Sequence, residues 1–224
     1  MIPRFSSTLT PAAMPYRVRI KVCGITRKED AVAAVNEGVD ALGLVFHPPS
    51  PRHVSVAAAA DIAQQVPAFV SVVALFVDAD RALVEQVIQQ VRPDVLQFHG
   101  DEEAAWCDSF ERPYIKALRV RDAGELSHQA ARYPAAKALL LDSFKAGVPG
   151  GTGETFDWNL IPEGLRTSSV LAGGLNADNV TAAVQLLRPY AVDVSGGVEL
   201  RKGIKDAAKI RRFVQQVHSA VEST

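Results

Sequence analysis

Eight short apolar runs, each separated from the next by a stretch of helical periodicity, constrain this chain more than any other feature of it. The runs are Arg17–Cys23, Asp40–Phe46, Val70–Val77, Asp94–Phe98, Tyr114–Leu118, Ala138–Leu141, Val170–Ala172 and Ala191–Val194. Most are apolar nearly throughout instead of alternating, so neither face of the sheet they build meets water. Between them, Leu83, Val84, Val87, Ile88 and Val91 share one side of a helix, as do Val180, Ala183, Val184 and Leu187. Ala31, Val32 and Val35 make a shorter face that Gly38 stops. Ser55 caps a helix carrying Ala59, Ile62, Ala63 and Val66, which Pro67 closes. Weaker helical patterns surround Trp106 and cover 122–132, and the last helix gathers Ile210, Phe213, Val214, Val217 and Val221.

Strand and helix in steady alternation imply an α/β fold, a parallel sheet covered by helices. Eight such units over residues 17–224 predict a single (β/α)8 TIM barrel, near the low end of the usual size. The rival, an open doubly wound sheet, lacks its early G-x-G-x-x-G fingerprint here. Apolar residues at 48% supply a large core and exclude wholesale disorder. A net charge of −1 argues against nucleic acid or an anionic membrane as partner. The longest apolar-leaning run, Pro67 to Val77, is too short to span a bilayer. Cys23 and Cys107 are the only cysteines, a count that fits a reducing, cytoplasmic compartment better than a disulfide. Residues 1–16 are polar and proline-rich with no signal-peptide apolar region. With Met14 just ahead of the first strand, they read as a flexible tail or an upstream start.

In such a barrel the strand C-termini face the active site. Here they carry Cys23, Phe46, Val77, His99, Leu118, Asp142, Gly173 and Ser195. Cys23 and Asp142 are proton-transfer groups of different type. Gly173-Gly174 after run seven and Ser195-Gly196-Gly197 after run eight offer backbone N–H groups with no Cβ in the way, a pattern that binds phosphate. The combination suits general acid–base chemistry on a phosphorylated small molecule. The Gly-rich connection from Ser143 to Phe156 is long enough to be a lid. Arg52 ends a proline-stiffened loop after run two and reaches back over the mouth. Cys107, beside Trp106 on a helix, is packing. His47 and His53 lack the partner set of a metal site, and neither metal nor cofactor is expected.

Lys21-Val22-Cys23-Gly24-Ile25-Thr26 with Glu29-Asp30-Ala31, Gln97-Phe98-His99-Gly100 and Leu140-Leu141-Asp142 follow one another in order. So do Gly150-Gly151-Thr152-Gly153-Glu154-Thr155-Phe156-Asp157-Trp158, Leu171-Ala172-Gly173-Gly174-Leu175-Asn176 and Val192-Asp193-Val194-Ser195-Gly196-Gly197-Val198-Glu199. In these six motifs, from about Arg17 to the end, the chain resembles the phosphoribosylanthranilate isomerase family. Val22 and Phe98 replace the family's frequent isoleucine and leucine. The resemblance implies an Amadori rearrangement in tryptophan biosynthesis, with Asp142 as acid and Cys23 as base. It also implies that Arg52 holds the anthranilate carboxylate, that His99 lies near the substrate and that Asp193 meets a substrate hydroxyl. Both catalytic roles run against ordinary pKa values of about 3.9 for Asp and 8.5 for Cys. Asp142 must keep its proton, which partial burial favours, and Cys23 must lose one, which a positive neighbour favours. Lys21, two residues earlier, is expected to supply part of that charge and to pair with Asp193 on the adjacent strand. Two alternatives stay open: another phosphosugar barrel, such as a broader aminoaldose isomerase or an indoleglycerol-phosphate synthase, and a silent barrel that only binds a phosphorylated ligand. A monomer is expected.

Overall fold

The computed structural model describes residues 17–143 and 156–222. The expected tail, residues 1–16, and most of the expected lid, 144–155, lie outside them. In chain order the elements are β1 (Arg19–Cys23), α1 (Lys28–Asn36), β2 (Ala41–Val45), α2 (Val56–Ala63), β3 (Ser71–Phe76) and α3 (Arg81–Gln90). Then come β4 (Val95–Phe98), α4 (Ala104–Asp108), β5 (Tyr114–Val120), α5 (Ala123–Ala131), β6 (Ala138–Ser143) and α6 (Glu163–Arg166). The chain continues through β7 (Val170–Leu171), α7 (Val180–Leu187), β8 (Ala191–Val194), β9 (Glu199–Arg201), β10 (Ile204–Lys205) and α8 (Ala207–Glu222). Strands β1 to β8 pair in sequence order, all parallel, and β8 closes on β1 with Arg19 opposite Ala191 and Lys21 opposite Asp193. The expected barrel is the observed one.

Local chemistry starts the helices where the sequence indicates. The Ser55 hydroxyl accepts from the Ala58 N–H at 3.2 Å, and the Asp80 carboxylate accepts from Leu83 N–H at 2.8 Å. Each cap satisfies a helix-end donor that would otherwise have no partner. The main core lies between barrel and helices, where Val22, Leu42, Val84, Val87, Ala183 and Phe213 are buried. Burying each large apolar side chain stabilises the fold by about 1.5–3 kcal/mol. Phe46, Phe76, Phe98 and Phe110 run through this layer as a ladder, with ring centroids 5.5, 6.1 and 5.8 Å apart.

The structure departs from expectation at several points. Val32 is 43% exposed, because α1 docks through the small Ala31 and Ala34, one step around the helix. The sequence puts Phe46 and Leu118 at the barrel mouth, but both join the outer core under the helices. Side chains alternate across a strand, so Val45 takes the inward place on β2. Strand β5 runs on to Val120, which leaves Arg119 as its inward residue beside Asp142 of β6. A short helical turn at Gly196–Val198 and the antiparallel ribbon β9–β10 were not expected. Among the described residues no helix is long and apolar enough to cross a membrane.

Candidate active site

A cavity of about 430 Å³ opens at the C-terminal ends of the strands, within the range that holds a small ligand. Cys23, Arg52, His99, Asp142, Gly173, Gly174, Asp193, Ser195, Gly196 and Gly197 all line it. All ten residues given a catalytic or binding role from the sequence therefore lie in one place, although Phe46 and Leu118, also taken as strand ends facing the site, do not.

Cys23 ends β1 with 6% of its surface exposed. Opposite it on β2 stands Gly43, where a Cβ would come within 2.7 Å of the Cys23 sulfur. The bare backbone of Gly43 is what gives the thiol its room. Two residues earlier, and so on the same side of β1, the Lys21 ammonium donates to Asp193 Oδ1 at 2.9 Å inside the barrel. That pairing is the expected one. Burial pulls the Lys21 pKa down, but the charge and hydrogen bond of Asp193 lead the pull the other way and the lysine stays charged, while burial in turn pushes Asp193 up against the pull of Lys21. For Cys23 the balance falls the other way. Burial pushes the thiol up by more than Lys21 and Lys205 pull it down, and Asp193 adds to the rise. A neighbouring cation was expected to leave a thiolate here. The enclosure that places the cation so close also removes the water that would solvate the anion, and the resting group is a thiol.

Asp142 lies near the end of β6, 5% exposed, with both oxygens occupied. Oδ1 accepts from the Ser143 N–H at 2.8 Å, and Oδ2 is 3.0 Å from His99 Nε2. Gly173 (φ +83°) follows β7 and packs so closely that a Cβ would sit 3.0 Å from Asp142 Oδ1. His99 Nδ1 is 3.0 Å from the side-chain nitrogen of Gln97, which is fully buried and faces inward from β4. Gln97, His99 and Asp142 thus form a continuous chain from the barrel interior to the cavity. The loop after β4 is itself pinned from behind. Lys116 donates to Glu102 at 2.9 Å and to the Gly100 carbonyl at 2.6 Å, while Glu102 accepts from the N–H groups of Asp78 and Gly100.

The loops after β7 and β8 meet edge to edge. A Cβ on Gly197 would fall 2.0 Å from the Leu175 carbonyl oxygen, so only glycine lets the two loops touch. Asn179 fixes the first loop by donating to the Gly174 carbonyl at 3.0 Å and accepting from the Asn176 N–H at 2.9 Å. Lys205, nearly enclosed, fixes the second by donating to the Ser195 carbonyl at 3.1 Å.

Arg52 reaches the cavity as expected, yet not as a free cation. Its Nε and Nη2 donate to the two Glu199 oxygens at 2.7 and 2.8 Å. Lys205 reaches Glu199 Oε1 at 3.0 Å. Burial pushes the Glu199 carboxyl up, but Arg52 and Lys205 outweigh it and hold it below the ordinary range. Sequence reasoning gave Glu199, Lys205, Gln97 and Gly43 no role. Gln97 and Gly43 were detectable as inward-phase interruptions of apolar strands and Glu199 as the end of the sixth motif; Lys205 carried no comparable signal. Both cysteines are free, and Cys107 is buried packing, its pKa pushed up to about 12 by burial first. Among the described residues no group of three or more His, Cys, Asp or Glu is placed to hold a metal ion.

The family model for N-(5'-phosphoribosyl)anthranilate (PRA) isomerase matches residues 20–216. N-(5'-phosphoribosyl)anthranilate isomerase of Pseudomonas fluorescens Pf-5 is 55% identical over 206 residues, 92% of this chain and 98% of that protein. The crystal structure of phosphoribosyl anthranilate isomerase from Thermotoga maritima superposes with a TM-score of 0.82 at 38% identity, covering 90% of this chain and 99% of that one. A phosphoribosyl anthranilate isomerase in complex with reduced 1-(o-carboxyphenylamino)-1-deoxyribulose 5-phosphate gives 0.79 at 36% identity, with coverage of 90% and 99%. The shared fold, the extent of the match and the level of identity agree, and the chain belongs to the N-(5'-phosphoribosyl)anthranilate isomerase family.

Proposed function

We propose that Cys23 and Asp142 are the base and the acid with which this chain carries out its family's reaction. That reaction converts N-(5'-phosphoribosyl)anthranilate to 1-(2-carboxyphenylamino)-1-deoxyribulose 5-phosphate, a step of tryptophan biosynthesis. The observation that carries the assignment is that the thiol and the carboxyl open into one cavity together with both glycine pairs.

Asp142 gives its proton to the furanose ring oxygen. The bond from C1 to that oxygen breaks as the nitrogen lone pair forms a protonated imine. Cys23, once it has released its own proton to water, takes the proton from C2 as thiolate; the C–H electron pair becomes the C1=C2 bond and the C=N pair moves onto nitrogen, giving an enol amine. That species gains a proton at C1 and loses the C2 hydroxyl proton, leaving the ketose. No electrons leave the substrate, because the imine nitrogen is the electron sink. Burial that disfavours the thiolate also makes it a stronger base once formed, and Lys21 and Lys205 stabilise it. His99 and Ser143 hold the Asp142 carboxyl in place. The N–H groups around Gly173, Gly174, Ser195, Gly196 and Gly197 take the phosphate, Asp193 faces a ribose hydroxyl, and Arg52 meets the anthranilate carboxylate.

The test follows the loss of substrate fluorescence with purified protein. Asp142→Asn and Cys23→Ala should each remove most turnover while inorganic phosphate still binds. Turnover close to wild type in either variant refutes the assignment. We also infer a monomer, and a cytoplasmic setting that the two free, buried cysteines support. A dimer by light scattering would overturn the first part, and an exported native protein the second.

A further inference from the structure

The Arg52–Glu199 contact leads beyond the reading above, and rests on its assignment of Arg52 to the substrate carboxylate. Glu199 grips the guanidinium from the side, through Nε and Nη2. A guanidinium held on that edge keeps its other edge, Nη1 with the second Nη2 proton, for a second planar acceptor. The grip is rigid. Glu199 is 7% exposed, and its Oε1 also accepts from Lys205 at 3.0 Å and from the Gly203 N–H at 3.2 Å. The ribbon that carries Glu199 rests on the Arg52 loop, for a Cβ on Gly203 would come within 2.8 Å of the Pro51 carbonyl oxygen. On its other side the Arg52 stem crosses Gly24, where a Cβ would lie 2.5 Å from Cδ. Two cations and one anion leave this cluster with a single positive charge, which one aryl carboxylate neutralises.

We propose that Glu199, itself fixed by Lys205, is a positioning residue that holds Arg52 with one edge presented to the cavity and so sets the preference for an aminoaldose bearing an aryl carboxylate. Without Glu199 the arginine has to be ordered at each binding event, whereas Lys205 keeps its hydrogen bond to the Ser195 carbonyl and the phosphate loop stays in place. The cost falls on substrates that use the arginine edge, and spares those that do not.

The experiment compares two substrates, the phosphoribosyl adduct of anthranilate and that of aniline, which lacks the carboxylate. For Glu199→Gln, kcat/KM on the anthranilate adduct should fall about tenfold or more through KM, and the ratio of the anthranilate to the aniline value should fall by about the same factor. Glu199→Asp keeps the charge but is one methylene short, and should lie between the two. It also serves if the glutamine variant does not fold. Equal losses on both substrates, or an unchanged preference in both variants, overturn the proposal. Arg52→Ala is the separate control. If it leaves the preference intact, the carboxylate assignment of Arg52 fails, whereas loss of preference in Arg52→Ala but not in the Glu199 variants sinks only the positioning role.

Discussion

The Lys21–Asp193 pair lies inside the barrel under the cavity, and replacing one partner gives a large, measurable effect. Lys21→Met keeps the length and volume of the side chain and removes its charge. The two groups are 2.9 Å apart with side chains only 5% and 8% exposed. At an effective dielectric of about 20 their direct attraction is about 6 kcal/mol, most of it offset by the cost of taking both ions from water. The variant loses the attraction and keeps the Asp193 half of that cost, which predicts a destabilisation of about 3–5 kcal/mol. In a domain of this size about 1 kcal/mol moves Tm by about 2–4 °C, so the melting temperature should fall by about 6–20 °C. The double variant with Asp193→Leu should recover most of that loss, because no unpaired charge remains. Circular dichroism melts and urea titrations of the four proteins close the cycle. A single variant within about 1 kcal/mol of wild type, or a double variant as unstable as the two singles added, would refute the account of a buried, mutually dependent pair.

Two further outcomes follow from the geometry of Cys23. In Gly43→Ala the new methyl must occupy space 2.7 Å from the sulfur. Overpacking of that kind costs about 1–3 kcal/mol, and displacing the base should lower kcat about tenfold or more; an unchanged kcat would show that the thiol has space to spare. Because burial raises the Cys23 pKa, its alkylation by iodoacetamide in the free protein should still be climbing above pH about 8.5, the ordinary thiol midpoint. A rate that levels off near neutral pH would mean the thiolate is already formed at rest.

The barrel was legible because the signals that specify it are local. Apolar runs and helical faces repeat within a few residues, and the two Gly-Gly turns announce themselves wherever the chain places them. The ordered motifs carried the family, and with it Cys23 and Asp142. Phase was harder to read. Leu118 looked like a strand end until β5 proved to run on to Val120, and that extension turned Leu118 outward and Arg119 inward.

What no local pattern holds is the company each group keeps. Arg52 and Glu199 meet across 147 positions and His99 and Asp142 across 43, brought together only when the eight strands close. The protonation of Cys23 belongs to the same class, since a lysine two residues away can be read from the chain but the loss of water around both groups cannot. Sequence determined the eight strands and the catalytic and phosphate-binding candidates at their ends, because order and spacing are written along the chain. Tertiary structure decided which of them are paired, clamped or charged, because Coulomb attraction and desolvation depend on distance through space.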